Sequence, residues 1–276
     1  MAYTDIDDPS AYFQTTLYTG TGSDQNITNA GNSDLQPDWT WIKRRNGSTN
    51  NMITDSVRGA TKNLVSNTAA TEDTDANGLK AFLSDGFTVG STGAFNSSSN
   101  TFVAWQWKAG TSFTNNAGAN GADIASNGSV NTDAGFSIIK ATSDGAANKD
   151  IAHGLGAVPD LIISKNLERG YNWDVYFKTL GYNAALQLNS VAAVRTGAWG
   201  SNTFTTTTFE TYEDYSSKSG EAYIYYCFAK KKGYSKFGQY RGNGNANGTF
   251  VYTGFSPAFL MIKQTAASND WFMIDN

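Results

Sequence analysis

Three of the chain's four prolines open the same short segment. It reads Gln36-Pro37-Asp38-Trp39-Thr40-Trp41-Ile42-Lys43, then Val158-Pro159-Asp160-Leu161-Ile162-Ile163-Ser164-Lys165, then Ser256-Pro257-Ala258-Phe259-Leu260-Met261-Ile262-Lys263. Proline and lysine are six residues apart each time (43−37, 165−159, 263−257). Internal repetition fixes the number of structural units, so it constrains the fold before any local propensity does. Proline is tolerated at the first residue of a strand, where its missing N–H costs no ladder bond. Trp39/Trp41, Leu161/Ile163 and Phe259/Met261 then fall on one face of their strands.

The correspondence continues downstream. Gly59 and Gly181 lie 16 residues past their lysines (59−43, 181−165), and Asn67 and Asn189 a further eight (67−59, 189−181). Each of the first two copies closes on an aromatic run, Thr101-Phe102-Val103-Ala104-Trp105-Gln106-Trp107 and Ala222-Tyr223-Ile224-Tyr225-Tyr226-Cys227-Phe228. Their openings also match: Tyr12-Phe13, Gly135-Phe136 and Lys236-Phe237. The organisation that follows is an N-terminal arm (1–11), copy one (12–109), a Gly/Asn-rich linker (110–134), copy two (135–235) and a partial copy three (236–276). The linker is expected to be flexible, whereas copies two and three, joined by Gly233-Tyr234-Ser235, should be stiffly coupled. Copy three runs only 13 residues past Lys263 (276−263). Half a sandwich exposes an edge and an apolar face. Either the sequence is a fragment or this end is buried against another chain, a homotrimer being the first expectation.

Short strands with turn signals every 8–12 residues predict an all-β fold of tandem antiparallel β-sandwich-like repeats with long Gly/Asn-rich loops. Composition agrees. Aromatics reach 13% and charged residues only 16%, with 28 glycines. Such a chain buries enough apolar surface to order itself. A short helix is expected near 56–67 or 76–83. Net charge is −4, which disfavours a nucleic-acid partner; Lys230-Lys231-Lys232 reads as a solvated strand exit. No apolar run approaches the ~18 residues of a membrane span, and the acidic N-terminus has no apolar signal core. Cys227 and His153 are each the single residue of their kind, too few for a disulfide framework or a Cys/His zinc site.

Candidate chemistry is sparse. Trp39, Trp41, Trp105 and Trp107 could stack on sugars, but their counterparts Leu161, Ile163, Tyr226 and Phe228 share only bulk, as a buried face requires. Trp199, in Thr196-Gly197-Ala198-Trp199-Gly200, has no counterpart and is the candidate exposed aromatic for ligand contact. Asp73-Thr74-Asp75-Ala76-Asn77-Gly78 fits the first half of a calcium loop, but Ser84 stands where the bidentate Glu belongs. Glu210, Glu213 and Asp214 form an acidic cluster without a matching pair in copy one, against the paired carboxylates of a glycosidase. Gly242-Asn243-Gly244-Asn245 reads as a turn and fits no phosphate loop. His153 reads as structural and Cys227 as an inert buried thiol. No catalytic residue, cofactor or metal site is expected. The Asn-x-Ser/Thr sequons at Asn26, Asn46, Asn96, Asn127 and Asn247 are chance products of composition.

Phe13-Gln14-Thr15-Thr16-Leu17-Tyr18-Thr19-Gly20-Thr21-Gly22, Asp55-Ser56-Val57-Arg58-Gly59-Ala60-Thr61-Lys62, Ser84-Asp85-Gly86-Phe87-Thr88-Val89-Gly90 and Gly233-Tyr234-Ser235-Lys236-Phe237-Gly238 resemble a domain of virion structural proteins of marine bacteriophages of the cyanophage and pelagiphage type. The resemblance spans nearly the whole chain and rests on structural motifs. Copy two departs from it, with Phe177-Lys178-Thr179-Leu180 in place of Asp55-Ser56-Val57-Arg58. It implies a non-enzymatic tail fibre or surface appendage contributing to host attachment, assembled in the host cytoplasm and working in the virion. The partners expected are other virion proteins, further copies of the chain and a host cell-surface glycan. The alternatives are a capsid-decorating or tail-connecting protein and a carbohydrate-binding adhesin module.

Overall fold

The computed structural model describes residues 4–197, 199–200, 204–211 and 218–276. The regular secondary structure of the described residues is almost entirely antiparallel β, with one α helix, α1 (Gly93–Asn96), and two short 3-10 turns. The first part of the chain supplies β1 (Phe13–Thr19), β2 (Gln25–Ile27), β3 (Trp39–Arg44), β4 (Met52–Asp55), β5 (Lys62–Val65), β6 (Asp73–Thr74), β7 (Leu79–Leu83), β8 (Gly86–Val89) and β9 (Thr101–Trp107). Six of these form the first sheet, in the order β1-β9-β3-β4-β5-β6, and β2-β8-β7 form a small sheet.

The next part supplies β10 (Thr111–Asn115), β11 (Ser126–Asn131), β12 (Phe136–Thr142), β13 (Lys149–Ala152), β14 (Leu161–Asn166), β15 (Asp174–Phe177), β16 (Ala184–Gln187), β17 (Arg195–Thr196), β18 (Thr208–Thr211) and β19 (Ala222–Phe228). The second sheet runs β10-β11-β12-β19-β14-β15-β16-β17, and β13 pairs with β18. Residues 110–134 are therefore not a flexible linker. They supply β10 and β11, which extend the second sheet beyond β12. Neither expected helix forms. Residues 62–65 and 79–83 are strands, because their apolar side chains meet neighbouring strands instead of a helical face.

Strand order in the second sheet, β12-β19-β14-β15-β16-β17, parallels β1-β9-β3-β4-β5-β6 in the first. The registers coincide as well. Trp39 opposes Asp55 and Trp107, and Leu161 opposes Phe177 and Phe228. The C-terminal hairpin of β20 (Phe259–Lys263) and β21 (Trp271–Asp275) pairs Phe259 with Asp275. The same spacing thus closes all three hairpins (55−39, 177−161, 275−259). Gly59 and Gly181, both at positive φ, turn the chain after the second strand of the first two.

Each large sheet is apolar on both faces. One face of the first sheet, with Ile42, Phe102 and Ala104, is covered by Ile27, Phe87 and Val89 of the small sheet and by Phe95 of α1. One face of the second, with Ile162, Tyr176 and Tyr225, is covered by Ile151 of β13, Phe209 of β18 and the side chains of Trp199 and Phe204. The remaining faces turn toward each other and form one shared core. Trp39, Trp41 and Trp105 meet Phe136, Ile163 and Tyr226 there, with Phe259, Met261 and Trp271 of the hairpin packed alongside. The two sheets are not independent beads on a tether, since the Trp39 ring lies against Phe136, Tyr226 and Phe228.

Candidate functional site

The repeated lysine has a repeated task. Lys43 Nζ donates to the Thr49 carbonyl at 3.2 Å, Lys165 Nζ to that of Tyr171 at 2.9 Å, and Lys263 Nζ to that of Asn269. Each partner is six residues downstream (49−43, 171−165, 269−263), so the ammonium staples the hairpin loop that follows its strand. Asn67 and Asn189 act in parallel: their Oδ1 atoms accept the Asn51 and Trp173 backbone N–H groups at 2.8 and 2.9 Å.

The same side chains join one segment to the next. Lys165 Nζ also reaches the Ala69 carbonyl of the first part, and Lys263 Nζ the Val191 carbonyl of the second. Trp173 Nε1 donates to the Val65 carbonyl at 3.0 Å, and Trp271 Nε1 to that of Gln187 at 2.9 Å. Backbone bonds complete the match, Glu72 N to Leu167 O and Val194 N to Thr265 O. Burial lowers the Lys165 ammonium to about 8, with the Asp174 carboxylate opposing the shift.

A third contact closes the set into a cycle. Tyr226 O–H of the second sheet donates to Asp55 Oδ2 of the first at 2.7 Å, and Trp105 Nε1 of the first donates to Asp275 Oδ2 of the hairpin at 3.2 Å. The aromatic contacts agree: Trp39 packs on Phe136, Tyr226 and Phe228, and Phe259 packs on Phe13, Trp105 and Trp107. Hairpin docks on second sheet, second sheet on first, first sheet on hairpin. The inner apolar face of the third segment is covered by the chain's own first and second segments.

Asp55 belongs to a buried network that sequence reading did not assemble. Arg58 Nε donates to Asp55 Oδ2 at 2.5 Å with both side chains fully buried, and Arg58 also reaches Glu72 and the Tyr226 hydroxyl. Burial acts to lower the Arg58 pKa, but the charges of Asp55, Tyr226 and Glu72 outweigh it and raise the guanidinium above its ordinary value. The Asp55-Ser56-Val57-Arg58 run was the available signal. Its partner, Tyr226, is 171 residues away.

The other candidates take structural places. Trp39, Trp41, Trp105 and Trp107 are buried between the sheets. Trp199 is not an exposed aromatic: it is 2% exposed and packs on Tyr176, Phe204 and Phe209, residues distant in sequence that its turn-rich neighbours do not reveal. Asp73 and Thr74 lie in β6, and Asp75 accepts from Asn77 N–H and from the Thr92 hydroxyl, which braces the turn that follows that strand. Among the described residues no group of three His, Cys, Asp or Glu side chains could hold a metal ion. Glu210 is buried in β18, while Glu213 and Asp214 lie outside the described residues. Lys230-Lys231-Lys232 follows β19, and Gly242–Asn245 lies in an exposed strandless stretch.

His153 is fully buried, its Nδ1 accepting the Leu155 N–H at 3.2 Å and its Nε2 facing the Thr205 carbonyl at 3.3 Å. Burial lowers its pKa to about 4 against the smaller opposing effect of that carbonyl. The imidazole is a neutral strut with its proton on Nε2. Burial raises the Cys227 thiol, which lies within β19. A cavity lies where the hairpin meets the two sheets. It holds about 380 Å³ and is bordered by Leu161, Phe177, Phe237, Phe259 and Met261. Its walls are apolar, so it suits apolar side chains better than a polar substrate.

Comparison with curated proteins gives no match, and comparison with solved structures gives none either. A protein family does match, over residues 8–276, almost the whole length that carries the recurring hairpins. The chain belongs to that family, described as Domain of unknown function (DUF7483).

Proposed function

We propose that the chain is a non-enzymatic structural component of a bacteriophage particle, a tail fibre or surface appendage that contributes to host attachment. The observation carrying this reading is that its distinctive side chains serve cohesion. The repeated lysines staple loops, the tryptophans join segments, and the Asp55–Arg58 pair meets Tyr226 across the sheet interface. Such cross-bracing suits a protein whose task is to hold shape and present loops. The motif resemblance supplies the particle assignment.

A second reading, a connecting or decorating protein within the particle, is favoured by the apolar outer face of the C-terminal hairpin. Leu260, Phe272 and Ile274 are 38%, 56% and 54% exposed there, a surface suited to another protein. An adhesin module is less favoured, because Trp199 is buried. Immunogold electron microscopy of purified particles tests the assignment. Label on fibres or the particle surface supports it, and particles without the protein contradict it. Incubation with host polysaccharide is expected to leave chain length unchanged; depolymerisation lost on Glu210→Gln would establish an enzyme instead.

A further inference from the structure

We propose that Asn247-Gly248 is a self-modification site, at which the Asn247 side-chain amide is converted to aspartate and isoaspartate without an enzyme. An asparagine followed by glycine is prone to this chemistry, because no Cβ shields the next backbone nitrogen. The Gly248 nitrogen gives up its proton to solvent and bonds to Asn247 Cγ, while Nδ2 takes up a proton and leaves as ammonia. Water then opens the five-membered imide at either carbonyl. Breaking one imide C–N bond yields aspartate; breaking the other leaves the main chain running through the side chain, as isoaspartate. The net change is hydrolysis of one amide, with solvent water as the co-reactant. The sequence holds six Asn-Gly pairs, at Asn46, Asn77, Asn120, Asn127, Asn243 and Asn247, so the choice among them falls to their surroundings.

Five of the six are restrained. Asn46 Oδ1 accepts the Arg44 Nε–H at 3.3 Å and the Thr101 N–H at 3.2 Å, and the Arg44 guanidinium lies against Gly47. The Gly78 N–H donates to the Asp75 carbonyl at 3.1 Å, which occupies the attacking nitrogen. Asn120 Nδ2 donates to Asn115 Oδ1 at 2.7 Å. Asn127 and Gly128 lie in β11, laddered to β10 on one side and β12 on the other. Asn243 Nδ2 donates to the Asn247 carbonyl at 2.9 Å, and its Oδ1 accepts the Asn245 N–H at 3.0 Å. Asn247 differs. Its backbone N–H is anchored on Asn245 Oδ1 at 3.0 Å, but its side-chain amide and the Gly248 N–H meet no hydrogen-bond partner among the described residues. The space beside Gly248 is open, and both residues are exposed. The repeat itself places this position in solvent. Ten residues past the opening phenylalanine stand Ser23, Ala146 and Asn247 (23−13, 146−136, 247−237), all three exposed. The reaction adds one negative charge to an exposed turn and leaves the aromatic core untouched. This inference does not depend on the particle reading.

The test is peptide mapping by mass spectrometry of the full chain after incubation in mildly alkaline buffer, with the chain unfolded in urea as reference. In the folded chain the peptide holding Asn247 should be the first to gain the mass difference between amide and acid, as a mixture of isoaspartate and aspartate. Its conversion should run about tenfold or more faster than at Asn77 and Asn127, whose backbone reacts only through local opening. In urea the six sites should react at similar rates. Asn247→Gln should remove the fast phase, because its imide would need a six-membered ring, and Gly248→Val should slow it by crowding the nitrogen. The proposal is overturned if another Asn-Gly pair converts first in the folded chain, or if the six convert there at the same rates as in urea. It is also overturned if Asn247→Gln leaves the fast phase intact, or if aspartate forms at Asn247 without isoaspartate, which would deny the imide.

Discussion

At the scale of single residues, the partners of the buried charged groups set how those groups respond to change. Removing Arg58 leaves Asp55 as a charge with no water and no guanidinium. Arg58→Met is therefore expected to destabilise the chain by about 3–5 kcal/mol, as breaking a buried pair from one side does; urea unfolding monitored by tryptophan fluorescence measures it. His153 gives a pH signature. Its folded pKa, about 4, lies below the ordinary 6.5, so the unfolded chain binds this proton first as pH falls. The stability is intact above pH 6.5 and is lost on descending to about 4, by up to roughly 3 kcal/mol. Protonation also removes Nδ1 as the acceptor for Leu155 N–H. Comparing Tm between pH 7 and pH 4 for the parent and His153→Gln checks this, the variant losing that part of the slope.

At the scale of elements, the hairpins were legible in the sequence, because Pro-to-Lys spacing and alternate apolar residues need nothing remote to be read. The Asn67 and Asn189 positions were equally visible, and the structure supplies their reason in the N–H groups they accept. Residues 110–134 were illegible for a physical reason. Their Gly, Asn and Ser content signals a loop, and β10 and β11 exist because the open edge of β12 gives them a ladder. Trp199 was missed in the same way, since Tyr176, Phe204 and Phe209 bury it from other elements. The lysine staples make a graded prediction. Lys165 Nζ serves three carbonyls, those of Ala69, Arg169 and Tyr171, whereas Lys43 Nζ serves that of Thr49. Lys165→Met should cost about 2–3 kcal/mol and Lys43→Met about 1 kcal/mol, following the number of carbonyls left unpaired. Paired urea titrations rank them, and equal losses would deny the lysine its joining role.

At the scale of the whole molecule, the central claim is that the three recurring hairpins share one aromatic core instead of forming separately stable units. Sequence could place the copies along the chain but not their mutual contacts. Those rest on pairs such as Tyr226 with Asp55 and Trp105 with Asp275, 171 and 170 residues apart. A shared core predicts that loss of packing anywhere in it is felt throughout. The most direct test is equilibrium unfolding of the full chain in urea, followed by far-ultraviolet circular dichroism and by tryptophan fluorescence, with Trp41→Ala and Ile163→Ala as probes of the two sheets. One coincident transition is predicted, shifted to lower urea by either substitution by an amount equivalent to about 2–5 kcal/mol. Two separate transitions, with Trp41→Ala moving one and Ile163→Ala the other, would contradict the shared core.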